Sequence, residues 1–254
     1  MTARGIKTNW ASPAGAGGNA YADYTAASIN TAGTDLVVTG WMRIKGTIAG
    51  SLRGQVPFHI YDEIGTGAMF FDGGSASSPF NEGMKVFSAG ETTYGSFAPA
   101  TNEDWFYVIK WQSSTGTWTA YAAKDGAASV GSASSSAVGR ATTTITSLRL
   151  AGVTFTFDWG SNVEVTNVKV WTGAAAYTTF DATALFAEMN SEMPVITSGL
   201  YAHWKLASAS DLVDYSGNSR TLTATGTVTD GSMDPVDIQT ATGSGCRWYG
   251  ILKA

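Results

Sequence analysis

Apolar and polar residues alternate in short runs along most of the chain, a pattern typical of strands, whose successive side chains point to opposite faces. The clearest run covers residues 104–124, where a turn at 113–116 separates two alternating halves. This arrangement predicts a β-hairpin. The alternating positions are Trp105, Tyr107, Ile109 and Trp111 before the turn, and Trp118, Ala120 and Ala122 after it.

The alternation changes phase once within a later strand candidate. The valines of one phase are Val163 and Val165, and those of the other are Val168 and Val170. A slip of one residue is what a β-bulge produces, because it inserts one extra residue into a strand. We therefore predict a bulge near Thr166-Asn167.

One segment departs from the strand pattern. Asp181 suits a helix N-cap, Leu185 and Met189 follow at helical spacing, and Pro194 lies beyond the end. These residues predict one short helix near residues 181–190. Many short strands with one short helix indicate an all-β fold, an antiparallel two-sheet sandwich.

The ends of the chain differ in composition from its middle. Residues 1–20 are Gly/Ala-rich and predict an N-terminal arm, and residues 231–254 are Gly/Thr-rich and predict a C-terminal tail. The sandwich is expected over residues 21–230. Because the composition of the arm and the tail cannot fill a core, we expect one of them to be ordered by a neighbouring subunit.

Threonine occupies every second position from 221 to 229, directly after a Tyr-Ser-Gly-Asn turn. The spacing predicts a strand with one hydroxyl face. Exposed edge strands usually carry charges, yet none lies between Thr221 and Thr229. One interpretation is a solvated face; the other is that Thr223, Thr225 and Thr227 form a subunit interface, in a homo-oligomer that we expect to be a trimer.

Composition narrows the function classes. Only 14% of the 254 residues are charged, and the net charge is -5 without a run of Lys or Arg, which argues against nucleic acid as a partner. The single cysteine, Cys246, gives no intrachain disulfide framework. No stretch approaches a membrane span, and the first residues lack the apolar region of a signal peptide.

Several segments, taken in order over residues 21–230, resemble the concanavalin A-like lectin/glucanase jelly-roll family in its laminin-G-like branch. The resemblance implies a two-sheet jelly roll. The hairpin residues that carry it are Trp105, Tyr121, Asp125 and Gly126. Those of a later G-L-x-x-x-W-x-L … D-x-S-G-N signature are Gly199, Leu200, Trp204, Leu206, Asp214, Ser216, Gly217 and Asn218.

The enzymes of this family are glycosidases or polysaccharide lyases, but the chain does not show their motifs. The Glu-x-Asp-x-Glu pattern of its β-glucanases is missing, and the acids of Asp62-Glu63 and of Glu103-Asp104 are adjacent, so that on a strand they point to opposite faces. The two histidines are His59 and His203, and the second is predicted to be a surface or half-buried residue rather than a base. We predict that the chain is not an enzyme.

Two kinds of binding site remain as candidates. Exposed aromatic rings stack on sugars, and Trp118, Tyr121 and Trp159 are candidates for a glycan site, although most of the tryptophans are expected in the core. Oxygen ligands for Ca²⁺ occur in two turn sequences, but the turn interpretation is favoured, so that no cofactor or metal is expected. The calcium candidates are Asp158, Asn162, Asp214 and Asn218.

Two function classes follow. The charge-poor, Thr/Gly/Ala/Ser-rich composition resembles virion proteins of this fold, and a chain that starts with Met and lacks an export signal favours a structural protein of a bacteriophage particle. That protein would be a capsid decoration protein or a tail or fibre module in the virion, with other virion proteins such as a major capsid protein as partners. The alternative is a carbohydrate-binding, lectin-like module of a bacterial surface or secreted protein, with a cell-surface glycan as its ligand.

Overall fold

The computed structural model describes residues 4–8, 21–44, 55–62, 68–71, 84–87, 91–94, 102–132, 136–137, 144–151, 163–233 and 235. Their strands pair in two antiparallel sheets. Sheet A contains β1 (Arg4–Thr8), β4 (Asp35–Ile44), β9 (Asp104–Gln112), β10 (Thr117–Lys124), β11 (Gly131–Ser132), β12 (Ser136–Ala137), β14 (Val163–Gly173), β15 (Leu200–Trp204) and β17 (Val228–Met233). Sheet B contains β2 (Tyr21–Tyr24), β3 (Ile29–Asn30), β5 (Gln55–Asp62), β6 (Ala68–Phe71), β7 (Met84–Phe87), β8 (Glu91–Tyr94), β13 (Thr144–Leu150) and β16 (Thr223–Thr225).

The order of the strands is that of a sandwich with many crossovers. Sheet A runs β11-β10-β9-β4-β14-β1-β17, with β12 beside β10 and β15 beside β14. Sheet B runs β16-β2-β13-β5-β6-β7-β8, with β3 beside β13. The two antiparallel sheets confirm the predicted all-β sandwich, which has the arrangement of a lectin-like jelly roll.

The predicted hairpin is β9–β10. Trp118 pairs with Trp111 across it, and the turn between them closes where the N–H of Gly116 donates to the carbonyl oxygen of Gln112 at 2.9 Å. Gly116 has a φ of +64°, which a residue without Cβ adopts at no steric cost.

The predicted bulge is present in β14. Its register against β4 shifts between Thr166 and Lys169, and Asn167 lies there with a φ of +48°. The valines before and after the bulge occupy alternating positions of opposite phase in the sequence. The extra residue offsets this difference, so that all of them point to the same face of the sheet. All four valines (Val163, Val165, Val168 and Val170) belong to the core between the sheets.

A second apolar layer covers the other side of sheet A, which we call the outer face. The predicted helix is α2 (Ala182–Met189), where the carboxylate of Asp181 accepts the N–H of Ala184 at 2.8 Å as an N-cap. A four-residue helix, α1 (Ala176–Thr179), precedes it and was missed by the pattern. The ring centroids of Trp171 and Phe180 lie 4.5 Å apart under this layer. Strands β4 and β14 are therefore buried on both faces.

Part of the predicted arm and the first residues of the predicted tail enter sheet A. Strand β1 lies within the predicted arm and fills the place between β14 and β17, where its backbone completes both ladders. Strand β17 continues to Met233, past the predicted boundary at 230. Both stretches thus pair with strands of the chain's own sheet. The expectation that a neighbouring subunit orders the arm or the tail stays a prediction. The division into 1–20, 21–230 and 231–254 otherwise stays a prediction.

The threonine run is not one strand. Residues Thr223–Thr225 form β16 in sheet B, whereas Val228–Met233 form β17 in sheet A. Gly226 separates them with a φ of +68°, a conformation that ends the extended run. The alternating composition did not show this break, because glycine at 226 also fits the small apolar face of a continuous strand.

Candidate functional site

The outer face of sheet A carries a cluster of polar and aromatic side chains where the helical layer ends. In the hairpin register Thr119 pairs with Lys110, and Tyr121 follows two residues later on the same face. Tyr177 of α1 lies over them from the helical layer. We call Lys110, Thr119, Tyr121 and Tyr177 the tyrosine cluster.

Lys110 fixes the two rings of the tyrosine cluster. Its ammonium lies 4.1 Å from the ring centroid of Tyr177 and 5.5 Å from that of Tyr121, and it donates a hydrogen bond to the carbonyl oxygen of Phe180 at 2.6 Å. The hydroxyls of Thr119 and Tyr177 are 2.8 Å apart. Lys110 and Thr119 are buried, whereas both tyrosines are half-buried and keep part of their surface in contact with solvent.

Burial dominates the electrostatics of this cluster. It lowers the pKa of Lys110 to about 8, although the nearby carboxylates of Asp181 and Asp35 act in the opposite direction. Burial, and next the neighbouring Tyr177, raises the pKa of Tyr121 above its usual value. Lys110 is thus a cation held by aromatic faces and a carbonyl oxygen.

The acids near the tyrosine cluster have structural roles. The carboxylate of Asp35 accepts the N–H and the hydroxyl of Ser113 at 2.9 and 2.8 Å, and the N–H of Tyr177 at 3.2 Å. Asp181 caps α2. The cluster therefore offers flat rings and hydroxyl groups, which suit the binding of a ring-shaped polar ligand.

The glycan candidates from the sequence do not lie together. Tyr121 belongs to the tyrosine cluster, but Trp118 is buried on the opposite face of β10, with its ring 4.9 Å from that of Trp111. Three residues apart on a strand means opposite faces, so Trp118 and Tyr121 cannot line one site. The prediction of an exposed ring at Trp118 is corrected accordingly, and Trp159 lies outside the described residues. Sequence reasoning missed Tyr177, which reaches the site through α1.

The calcium candidate Asp214 is fully occupied by protein donors. Its Oδ1 accepts the N–H groups of His203 and Ser216 at 3.0 and 2.9 Å. Its Oδ2 accepts the Ser216 hydroxyl at 2.8 Å and the N–H of Arg220 at 2.9 Å. Burial raises the pKa of Asp214, but these hydrogen bonds outweigh it, so that the pKa lies below its usual value. Asp158 and Asn162 lie outside the described residues.

The signature loop around Asp214 covers the free edge of β15. Asn218 donates through Nδ2 to the carbonyl oxygens of Leu200 and Tyr201, both at 3.0 Å, and Arg220 also donates to that of Tyr201, at 2.7 Å. The N–H of Tyr215 donates to the carbonyl oxygen of His203 at 2.7 Å. This turn therefore has a structural role, because it forms hydrogen bonds with backbone groups of β15 that would otherwise be unpaired at the edge of the strand.

His203 corrects a second prediction. The sequence placed it at the surface or half-buried, but it is buried, with Nε2 3.0 Å from Oδ1 of Asn167 in the bulge. Burial, together with the charges of Lys169 and Lys205, lowers the pKa of His203 to about 3. The outer layer over β14 and β15 buries this ring, and strand alternation alone does not reveal that layer. His59 is buried as well.

The adjacent acids Glu103 and Asp104 have separate partners. Asp104 forms an ion pair with Arg43, whereas Glu103 pairs with Lys124 and accepts the indole N–H of Trp105 at 3.1 Å. Of the other adjacent pair, Asp62 ends β5 and Glu63 lies outside the described residues. Among the described residues, no group of three or more His, Cys, Asp or Glu side chains is placed to hold a metal ion.

The interface candidates Thr223, Thr225 and Thr227 are all exposed. The first and last residues of β16 are Thr223 and Thr225, whereas Thr227 lies in the link to β17. Within the described part of the chain, no helix has the length and apolar character required to cross a membrane.

Comparison with known proteins supports the fold. A candidate carbohydrate-binding protein of Bacteroides ovatus superposes with a TM-score of 0.55 at 13% identity, covering 91% of this chain. The described chain has a lectin-like jelly-roll fold. It spans 61% of the length of that Bacteroides structure. Weaker matches are the extracellular region of zebrafish Gpr126/Adgrg6 (TM-score 0.47, 14% identity, 92% of this chain and 27% of the other) and peanut lectin (0.35, 12%, 55% and 71%). No family model and no curated protein matches the chain.

Proposed function

We propose that the chain is a non-catalytic module that binds carbohydrate through the tyrosine cluster. The observation that carries this proposal is the pair of half-exposed rings, Tyr121 and Tyr177, which Lys110 holds on the outer face of a lectin-like sandwich. The Bacteroides protein of similar fold, itself a candidate carbohydrate-binding protein, supports the same class of ligand.

Preorganisation of the aromatic side chains favours carbohydrate binding at this site. The apolar face of a pyranose ring packs on an aromatic side chain, while hydroxyls at the ring edge exchange hydrogen bonds with its surroundings. Tyr177 is fixed by Lys110 and by the Thr119 hydroxyl, so that it loses little freedom when a ligand binds. The Tyr177 ring is therefore positioned for a ligand before the ligand binds.

The proposal excludes catalysis as the role of this site. A retaining glycosidase needs two carboxyl groups about 5–5.5 Å apart, free to act on the glycosidic bond. The two acids that influence Lys110 serve instead as a loop anchor and a helix cap. The site supports binding through ring faces and hydroxyls.

A panel of immobilised glycans tests this proposal, with the wild-type chain compared with Tyr121→Ala and Tyr177→Ala. Tyr215→Ala is the matched control, because Tyr215 is an exposed tyrosine in a different loop, 43% accessible. We expect glycan retention that falls at least tenfold in the two cluster variants and is kept in the control. Retention on no glycan, or equal retention by all three variants, would contradict the proposal. Melting temperatures verify that each variant is folded.

A second candidate function is a structural role in a bacteriophage particle, as a capsid decoration protein or a tail or fibre module. The observation that favours it is the exposed, charge-free edge strand β16, which suits contact with a neighbouring subunit. Mass spectrometry of purified particles is the test. The chain should be found at a fixed ratio to the major capsid protein; its absence from particles would exclude this role and leave carbohydrate binding unaffected.

A further inference from the structure

Strand β16 is one of the two end strands of sheet B as the described residues form it. It pairs on one side with β2, where Ala224 lies opposite Ala22, and in the described part of the chain it ends the order of that sheet. Thr223, Ala224 and Thr225 are all exposed. A strand with one unpaired side presents N–H and C=O groups that another strand can pair with.

Another short strand, β15 in sheet A, has its free side covered. The free side of β15 is covered by the loop from Asp214 to Arg220, whose side chains donate to the carbonyl oxygens of Leu200 and Tyr201. The loop backbone adds a bridge between Trp204 and Asp214. The described residues place no such loop on β16, although the two strands are separated by only a short stretch of sequence.

Charge favours a copy of the same chain as the occupant. The net charge is -5, so two copies repel wherever acidic faces meet, but the run Thr221–Thr229 carries no charge. The negative charge of Asp23 in the neighbouring strand β2 is compensated as well, because Asp23 forms an ion pair with Arg149 at 3.1 Å and both residues are buried. The edge strand is therefore free of charge on an acidic protein, so that two copies can approach there without charge repulsion between the two strands.

We propose that β16 pairs with β16 of a second copy of this chain, antiparallel and centred on Ala224. A two-fold axis makes such an interface self-complementary, because the unpaired N–H and C=O groups of each strand can form hydrogen bonds with those of the other. In this register Thr223 of one copy faces Thr225 of the other, and their hydroxyls lie side by side. Thr227 lies outside the pairing, in the link to β17. The proposal is independent of carbohydrate binding.

Disulfide trapping tests the register. Residues directly opposite in an antiparallel pair have Cα atoms about 4.5–5.5 Å apart, within the range that a disulfide spans. In a Cys246→Ser background, Ala224→Cys should therefore cross-link to a covalent dimer under mild oxidation. We expect its rate to exceed at least tenfold that of Thr178→Cys, an exposed control in α1. Equal rates for the two variants would overturn the proposal.

Sedimentation velocity gives an independent measurement on the full chain. Thr225→Lys adds a charge to the edge and should shift the monomer–dimer midpoint at least tenfold to higher concentration, whereas Thr178→Lys should leave it unchanged. Circular dichroism shows whether each variant is folded. A wild-type chain that stays monomeric at millimolar concentration, or a dimer that Thr225→Lys does not weaken, would also overturn it.

Discussion

The ammonium of Lys169 lies 2.7 Å from the carboxylate of Glu188, and both side chains are buried between sheet A and helix α2. Lys169 also donates to the carbonyl oxygen of Ser191 at 2.7 Å, and the other oxygen of Glu188 accepts the N–H groups of Val195 and Ile196, both at 2.8 Å. Burial lowers the pKa of Lys169, and the partner carboxylate counteracts this effect. The pair attaches the helix and the segment after it to the sheet.

Removal of one partner should destabilise the chain strongly. Glu188→Ala leaves the Lys169 ammonium without its counter-ion, and we expect a loss of about 3–5 kcal/mol in the free energy of unfolding. Thr183→Ala, at an exposed site on the same helix, is the control and should change it by less than about 0.5 kcal/mol. Urea denaturation measures both. A double variant, Lys169→Met with Glu188→Leu, should recover part of the loss; similar values for Glu188→Ala and the control would contradict the buried pair.

Lys110 should make stability depend on alkaline pH. Its pKa of about 8 in the folded chain lies below the value of 10.5 that applies when it is unfolded. Between these values the unfolded chain binds more protons, so this contribution to the free energy of unfolding rises with pH across that window and is constant outside it. The free energy of unfolding of wild type, relative to that of Lys110→Met, should thus increase by about 1–3 kcal/mol between pH 7.5 and 10. A difference that is flat, or moves the other way, would contradict the burial of Lys110.

The bulge residue Asn167 combines an unusual backbone with a side-chain role. Asn167→Gly keeps the positive φ but loses the contacts with Ser191 and His203, and should cost about 1–3 kcal/mol. Asn167→Ala loses the same contacts and adds backbone strain, so it should cost about 1 kcal/mol more. Thermal unfolding of both variants measures the difference. If alanine were as well tolerated as glycine, the left-handed conformation at this position would be refuted.

Asp214 should contribute to stability at neutral pH and lose that contribution in acid. Its pKa in the folded chain lies below the unfolded value, so the charged form stabilises the fold above about pH 4, and the effect disappears as the pH falls through the folded pKa. Asp214→Asn should cost about 1–3 kcal/mol at pH 7 and show a smaller loss between pH 5 and 3 than wild type. Asp181→Asn is the control, because asparagine also caps helices. Chemical denaturation at pH 7, 5 and 3 measures the free energy of unfolding of each variant. If Asp214→Asn lost as much stability between pH 5 and 3 as wild type, the stabilising role of the Asp214 carboxylate would be contradicted.

Local patterns of apolar and polar residues, at strand or helical spacing, were enough to predict the features that depend on residues close together in the sequence. The hairpin β9–β10, the helix capped by Asp181 and the bulge at Asn167 all follow from local spacing. Each of these features is determined by residues that follow one another closely in the sequence. The sandwich itself follows from the number of such strands.

The candidate site needed information that no local pattern holds. Trp118 and Tyr121 belong to one strand, yet the first faces sheet B and the second faces the helical layer. Tyr177 contacts the outer face of β10 from helix α1, although it lies more than fifty residues away in the chain. The pattern of β10 alone therefore does not show which of its faces carries the site. The burial of His203 has the same origin, since α2 and the segment that follows it cover a surface that a two-layer sandwich would expose.

The break at Gly226 has a geometric consequence for the sandwich. Thr225 ends β16 in sheet B and Val228 begins β17 in sheet A, so three peptide units cross from one sheet to the other. A fully extended link of this length spans about 10–11 Å, close to the usual separation of about 10 Å between packed sheets. Here the sheets can move further apart than this extended length only if β16 or β17 first leaves its partner. At this side of the molecule, covalent bonds therefore set an upper limit on the thickness of the sandwich.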